Sequence, residues 1–222
     1  MKVKICGLRS RAEMQAARDC GADYVGLVFF PPSPRHISLA DARWISGGIP
    51  EGLTRVALTV DADDAMLAEL LEAVPIDILQ LHGEETPERV AAVRTIFGKP
   101  VMKAVGLATE NDLPALKTYA KVADRLLVDA RPPADADLPG GNGVAFDWRL
   151  LQGRKLGVPW MLAGGLTPEN VAEAVKLTGA REVDVSSGVD ISPGYKDPER
   201  MAAFVAAAHA AGKALDGADA PG

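Results

Sequence analysis

Val3-Lys4-Ile5-Cys6-Gly7 reads as a short β-strand that ends on a thiol. β-branched Val3 and Ile5 suit a pleated, half-buried surface, and the glycine after the cysteine breaks the strand. α/β folds place their chemistry at the C-terminal ends of strands. A later segment, Leu126-Leu127-Val128-Asp129, ends in the same way on a carboxylate. A thiol and a carboxylic acid at two strand ends suggest proton transfer.

Outward from this strand, apolar runs recur at residues 3–6, 24–30, 55–60, 76–82, 101–105, 125–130, 159–164 and 182–186. Helical spacing and helix starts lie between them. Ser10 precedes Glu13, Thr86 precedes Pro87 and Arg89, Ser38 and Asp41 open a segment carrying Ala42 and Ile45, and Thr167-Pro168-Glu169-Asn170 gives cap then proline. Gly21 and Gly179 read as stop signals. Strands alternating with helices imply parallel βαβ units. Eight of them predict an α/β fold, a single (β/α)8 TIM barrel over residues 1–213, with an open doubly wound sheet as the alternative. Residues 214–222 are small and acidic without apolar periodicity, and read as a flexible tail.

The chain has 222 residues, which suits one barrel, and an apolar fraction of 48%, enough for a sizeable core. Its net charge of −6 and lack of a basic run argue against nucleic acid and anionic membranes as partners. The two cysteines form no spaced framework, which points to reduced thiols in the cytoplasm. The N-terminus runs directly into a strand without a leader-like segment, and no apolar run reaches membrane-spanning length. Three histidines are too few for a His-rich metal site.

Polar residues at strand ends are the candidates for chemistry. Three glycine loops follow the last three strands: Gly140-Gly141-Asn142-Gly143, Gly164-Gly165, and Ser186-Ser187-Gly188. Barrels commonly bind phosphate in the loops after strands seven and eight, where glycine lets backbone N–H groups approach the anion. Cys6 is either a base or a small buried hydrophobe, and Cys20 reads as a core cysteine. Asp129 is either an acid or a structural carboxylate that caps the following loop or pairs with Arg131. Asp184 alternates with Val183 and Val185 and points either into the barrel mouth or out to a helix. Arg35 sits in a loop stiffened by Pro31, Pro32 and Pro34, where it is either a clamp for an anion or a solvated arginine. His82 ends the fourth strand as a polar contact, and His36 reads as surface.

Lys4-Ile5-Cys6-Gly7, Pro32-Ser33-Pro34-Arg35, Gln80-Leu81-His82-Gly83, Leu127-Val128-Asp129, Phe146-Asp147-Trp148, Gly164 to Val171 and Asp184 to Val189, taken in order, closely resemble the phosphoribosylanthranilate isomerase family of tryptophan biosynthesis. The resemblance implies an Amadori rearrangement of N-(5′-phosphoribosyl)anthranilate. It implies Asp129 as the general acid at the furanose ring oxygen and Cys6 as the base at C2′. It also implies Arg35 as a clamp on the anthranilate carboxylate, with His82 and Asp184 at the substrate and the glycine loops at its phosphate. The acid must start protonated and the thiol ionised, so their surroundings are expected to push both away from their usual states. The ligand expected is a small phosphorylated molecule, with no metal and no organic cofactor, bound to a monomer or weak homodimer.

Some positions depart from the family pattern. The loop from Arg131 to Leu138 is long and rich in Pro and Asp, Val144 replaces a more usual polar residue, and Thr59 interrupts a strand that is otherwise apolar and reads as facing outward. A metal-dependent epimerase-like barrel would need His and Asp at several strand ends. A synthase-like chemistry would use a strand-end lysine such as Lys103 but leave Cys6 and Asp129 without roles. A phosphate-sensing barrel would tolerate loss of either residue, and both are present.

Overall fold

The eight apolar runs pair edge to edge and close on themselves. The structure, a computed structural model, describes residues 1–131, 138, 140, 141, 143 and 145–218. Strands β1 (Lys2–Cys6), β2 (Tyr24–Phe29), β3 (Thr54–Thr59), β4 (Ile78–Leu81), β5 (Val101–Leu107), β6 (Arg125–Ala130), β7 (Trp160–Leu162) and β8 (Glu182–Val185) form a closed barrel in sequence order. Every neighbouring pair is parallel.

Among the described residues, seven helices surround the barrel: α1 (Arg11–Asp19), α2 (Leu39–Ser46), α3 (Asp64–Ala73), α4 (Pro87–Phe97), α5 (Leu113–Tyr119), α6 (Val171–Thr178) and α7 (Pro198–Ala218). Among the described residues, the connection from β6 to β7 carries only a 3₁₀ turn, Trp148–Leu151, capped by the Asp147 carboxylate at the Arg149 N–H (3.0 Å). An antiparallel hairpin, β9 (Asp190–Ser192) and β10 (Tyr195–Lys196), follows β8 and was not foreseen from the sequence. Among the described residues, no helix is long and apolar enough to cross a membrane.

Local chemistry starts and stops these helices as expected in most places. Ser10 and Glu13 form a reciprocal capping box, Thr86 accepts from Arg89 N–H with Pro87 in the first turn, and Ser38 accepts from Asp41 N–H. The Thr167 signal is displaced by one turn. Thr167 accepts from Glu169 N–H, while the Asn170 side chain turns back to the Thr167 N–H and the Gly165 carbonyl, so α6 begins only at Val171. Gly179 ends α6 in the left-handed region (φ +70°). Helix α7 continues to Ala218, past the Lys213 boundary suggested by composition.

Period-two alternation splits the strand residues between two cores. Tyr24, Val56, Ile78, Met102, Ala104, Leu127, Met161 and Ala163 fill the barrel. Val3, Ile5, Val25, Leu27, Ala57 and their equivalents face the helices. Thr59 shares the parity of Ala57, so it faces outward as read, but it is fully buried there. Met201, Phe204, Val205 and Ala208, at helical spacing, seal α7 onto α1, α6 and β1. Truncating Phe204 to alanine would cost about 3–5 kcal/mol. The inward positions of β1 are Lys2, Lys4 and Cys6, and Lys4 lies opposite Asp184 of β8. A charged seam therefore runs up this side of the barrel to the thiol.

Candidate active site

The barrel opens at its C-terminal mouth into a cavity with about 830 Å³ of empty space, continuous with solvent. Cys6, Arg35, His82, Asp129 and Asp184 all line it. So do the glycine loops, through Gly140, Gly141, Gly143, Gly164, Gly165, Ser186 and Ser187. Gly188 lies one step away, in an adjoining hollow shared with Gly143, Gly165 and Ser187. Asn142, Val144 and residues 132–137 lie outside the described residues.

Asp129 leaves β6 beside Gly106 of β5. Its Oδ1 accepts the Ala130 N–H (2.8 Å), and its Oδ2 faces His82 Nε2 at 3.3 Å. The partner suggested from sequence, Arg131, pairs instead with Asp112, so Asp129 remains directed at the cavity. Gln80, fully buried on β4, lies 2.8 Å from His82 Nδ1 through its amide nitrogen. That amide nitrogen is directed at Nδ1 and leaves Nε2 turned toward Asp129.

The turn that carries His82 is clamped from below. Lys103 donates to the Gly83 carbonyl (2.6 Å) and the Leu81 carbonyl (3.3 Å) and pairs with Glu85 (2.8 Å). Glu85 in turn accepts the Gly83 N–H (2.9 and 3.1 Å). Lys103 is therefore committed to the backbone around His82 and does not line the cavity.

Cys6 stands at the tip of β1, 3% exposed, beside Gly26 of β2. A Cβ at Gly26 would sit 2.6 Å from Sγ, so only glycine leaves room for the thiol here. Beneath it, the fully buried Lys4 donates to Asp184 (2.8 Å) and reaches the thiol. Burial opposes the Lys4 charge, but Asp184 and Cys6 outweigh it and hold the ammonium above its ordinary range. The thiol does not follow the expectation drawn from sequence. Burial pushes it up from the ordinary thiol value, and Lys4 and Lys196 only partly oppose that shift. Asp184 points into the mouth, as one of the two readings had it.

Arg35 is not a solvated loop residue. It is 5% exposed and donates to Asp190 at 2.6 Å, and the same carboxylate accepts from Lys196 at 2.6 Å. His36, read as surface, is half-buried and forms an isolated bridge with Val28 of β2. Cys20, read as core, is half-buried at the end of α1, with Sγ 3.2 Å from the Ala17 carbonyl. Sequence reasoning missed Lys4, Gln80, Asp190 and Lys196 as parts of the site. Lys4 and Gln80 carried a signal, since polar residues at inward positions of barrel strands have nowhere else to point. Asp190 and Lys196 carried none, because the hairpin that presents them has no periodic pattern.

The loops after β7 and β8 touch at Gly188. A Cβ there would collide with the Leu166 carbonyl oxygen, so glycine is what lets the two loops meet. Arg200 of α7 holds the Gly188 carbonyl with two donors, both at 3.1 Å.

The chain matches the family model for N-(5′-phosphoribosyl)anthranilate (PRA) isomerase over residues 3–207. It is 60% identical to an N-(5′-phosphoribosyl)anthranilate isomerase of Cereibacter sphaeroides over 208 residues, covering 94% of this chain and 98% of that protein. Among solved structures, phosphoribosyl anthranilate isomerase from Thermotoga maritima superposes with a TM-score of 0.85 at 35% identity, covering 95% of this chain and 99% of that one. A phosphoribosyl anthranilate isomerase in complex with reduced 1-(o-carboxyphenylamino)-1-deoxyribulose 5-phosphate gives a TM-score of 0.82 at 34% identity, with the same coverage.

Proposed function

The chain belongs to the N-(5′-phosphoribosyl)anthranilate isomerase family, and we propose that its barrel mouth performs the rearrangement by general acid–base catalysis between Asp129 and Cys6. The protein is an isomerase of tryptophan biosynthesis that converts N-(5′-phosphoribosyl)anthranilate to 1-(2-carboxyphenylamino)-1-deoxyribulose 5-phosphate. Its ligand is a small phosphorylated molecule, as in the relative that holds the reduced product.

In this reading Asp129 gives its proton to the furanose ring oxygen. The C1′–O bond breaks as the anilinic nitrogen lone pair forms a C=N⁺ bond. The Cys6 thiolate then removes the C2′ proton, and the C–H electrons neutralise the cation to give an enolamine, which tautomerises to the ketone. The substrate's own nitrogen is the electron sink, so the chain needs only a placed acid and a placed base. The observation that carries this reading is that Cys6 and Asp129, 123 positions apart, line one cavity at the strand ends.

The remaining polar groups have room for the rest of the substrate. Backbone N–H groups of the three glycine loops hold the phosphate, joined by Ser186 and Ser187. Arg35 takes the anthranilate carboxylate through its planar fork. His82 and Asp184 contact the ribose chain between the two ends. We also place the reaction in the cytoplasm, on the strength of two free thiols in one chain.

The test is the decay of anthranilate fluorescence when purified protein meets freshly generated phosphoribosylanthranilate. Decay far above the uncatalysed rate is expected, and decay no faster than that rate would overturn the assignment.

A further inference from the structure

Three cations and two carboxylates crowd around Cys6. Lys4 of β1 and Asp184 of β8 form one pair at 2.8 Å. Arg35, from the loop after β2, and Lys196, from β10, share the single carboxylate of Asp190 on β9, each at 2.6 Å. All five side chains are at least nine-tenths buried. The Lys196 ammonium also donates to the Ser186 carbonyl (2.9 Å), while the Ser186 hydroxyl donates to the Cys6 carbonyl (3.2 Å). Glu13 of α1 accepts the Lys196 backbone N–H (3.2 Å). His82 and Asp129 line the same cavity.

Arg35 and Lys196 are two cations on the one carboxylate of Asp190. An uncompensated buried charge is costly, so such a group draws an anion toward it. Cys6 is the ionisable group inside the cluster whose deprotonation cancels the excess. Lys4 has Asp184 to itself and also reaches the thiol, whereas Lys196 divides Asp190 with a second cation. Burial pushes the Lys196 ammonium down and the Cys6 thiol up, and each favours the charged form of the other.

We propose that Lys196 is a positioning residue for the base: the hairpin after the eighth strand carries its ammonium to Cys6, where it is the countercharge of the thiolate. On ionisation the thiol proton passes to solvent, and the thiolate re-forms an S–H bond when it takes the C2′ proton. The inference rests on the reading of Cys6 as the base.

The experiment follows alkylation of Cys6 by iodoacetamide against pH, read by intact mass in a Cys20→Ala background. Lys196→Met should raise the midpoint by about one pH unit or more. Asp190→Asn removes a carboxylate and should lower it. The acid limb of kcat/KM should move with the midpoint in each variant, and Lys196→Arg should restore most of the shift. A purely structural role would move both variants in the same direction or neither, and either result overturns the proposal. Should Lys196→Met fail to fold, the sign of the Asp190→Asn shift decides alone. Cys6→Ser with normal turnover would sink the base reading itself. An inactive Cys6→Ser beside an unshifted Lys196→Met would sink only the role of Lys196.

Discussion

His82 and Asp129 face each other across the barrel mouth, with Nε2 3.3 Å from Oδ2. The Gln80 amide nitrogen stands 2.8 Å from Nδ1 and orients the ring, and the Lys103–Glu85 pair holds the turn on which the ring is mounted. Gln80 of β4, Lys103 of β5, and His82 and Glu85 of the loop after β4 thus orient the carboxyl of β6. Asp129→Asn keeps the shape and removes the acid. It should lower kcat by about 10²- to 10⁴-fold with little change in KM. His82→Ala should cost on the order of tenfold in kcat, the worth of one modest hydrogen bond. Steady-state kinetics decide between roles, because lost binding with normal turnover at saturation would make Asp129 a binding residue.

The thiol at Cys6 is enclosed by Gly26, Lys4 and Lys196. Cys6→Ala and Cys6→Ser should each reduce turnover by at least about two orders of magnitude while leaving the fold intact. Cys20, half-buried at the end of α1, should lose only about 1 kcal/mol of stability as Cys20→Ala, with normal turnover. Since burial raises the Cys6 thiol, the reactive thiolate grows as pH rises, and kcat/KM should climb on the acid side of its profile. Near-normal turnover in Cys6→Ala would return the residue to packing.

Arg35 arrives at the cavity already buried and held by Asp190. Its ordering entropy is therefore met before substrate binds. A carboxylate contact present in substrate and transition state alike is partly uniform binding, so Arg35→Ala should raise KM at least as much as it lowers kcat. The loss in kcat/KM should be on the order of ten- to a hundredfold, from a hydrogen bond to a charged group worth roughly 1.5–3 kcal/mol. Arg35→Lys should recover little, because a point charge does not reproduce the fork. Unchanged kinetics in Arg35→Ala would separate this residue from the substrate.

Gly188 is where the loops after β7 and β8 come into contact, against the Leu166 carbonyl. Gly188→Ala should force them apart and disturb the backbone donors on both sides. The expected result is a KM raised by about tenfold or more and weaker competitive inhibition by inorganic phosphate, with the thermal midpoint lowered only slightly. Equal inhibition by phosphate in both proteins would remove these loops from the phosphate site.

Acid stability should depend on a pair far from the mouth. Asp77 accepts the Arg55 guanidinium through two donors (2.9 and 3.0 Å) and the Arg55 backbone N–H (2.8 Å). Burial works against its charge, but these bonds outweigh it and hold the carboxyl below the usual range. Its folded pKa is thus below the unfolded one, so the stability it contributes is complete above about pH 4 and is lost as pH falls further. Thermal midpoints should fall from pH 6 to pH 3, and Asp77→Asn should lower the midpoint at pH 6 while making the fall shallower. An identical slope in both proteins would show that other carboxylates govern the acid limb.

The barrel was legible because its signals are local. Period-two apolar runs, the Ser10–Glu13 box, and Thr86 with Pro87 depend on residues within one turn or one strand of each other, and the structure has all of them. The strand-end rule then brought Cys6, Asp129, His82 and Asp184 to one mouth without any coordinates. Local signals failed where the backbone rather than the residue type decides, as at Thr167, whose cap serves a turn ahead of α6.

Countercharge is a different kind of property. Lys4 and Asp184 are 180 residues apart and Arg35 and Asp190 are 155 apart, so no pattern within a strand or helix links them. A lysine, an arginine and an aspartate look solvated in a linear chain. Closing β8 onto β1 and folding the β9–β10 hairpin over the mouth buries them, and burial is what makes their pairing obligatory. The same burial raises the Cys6 thiol, against the direction a catalytic base suggested. Amino-acid order decided the number of barrel strands, their sequence around the barrel and which side chains stand at their tips, because those follow from periodicity. The charge state available to those side chains was decided by the closed barrel, because it depends on which distant groups share their low-dielectric surroundings.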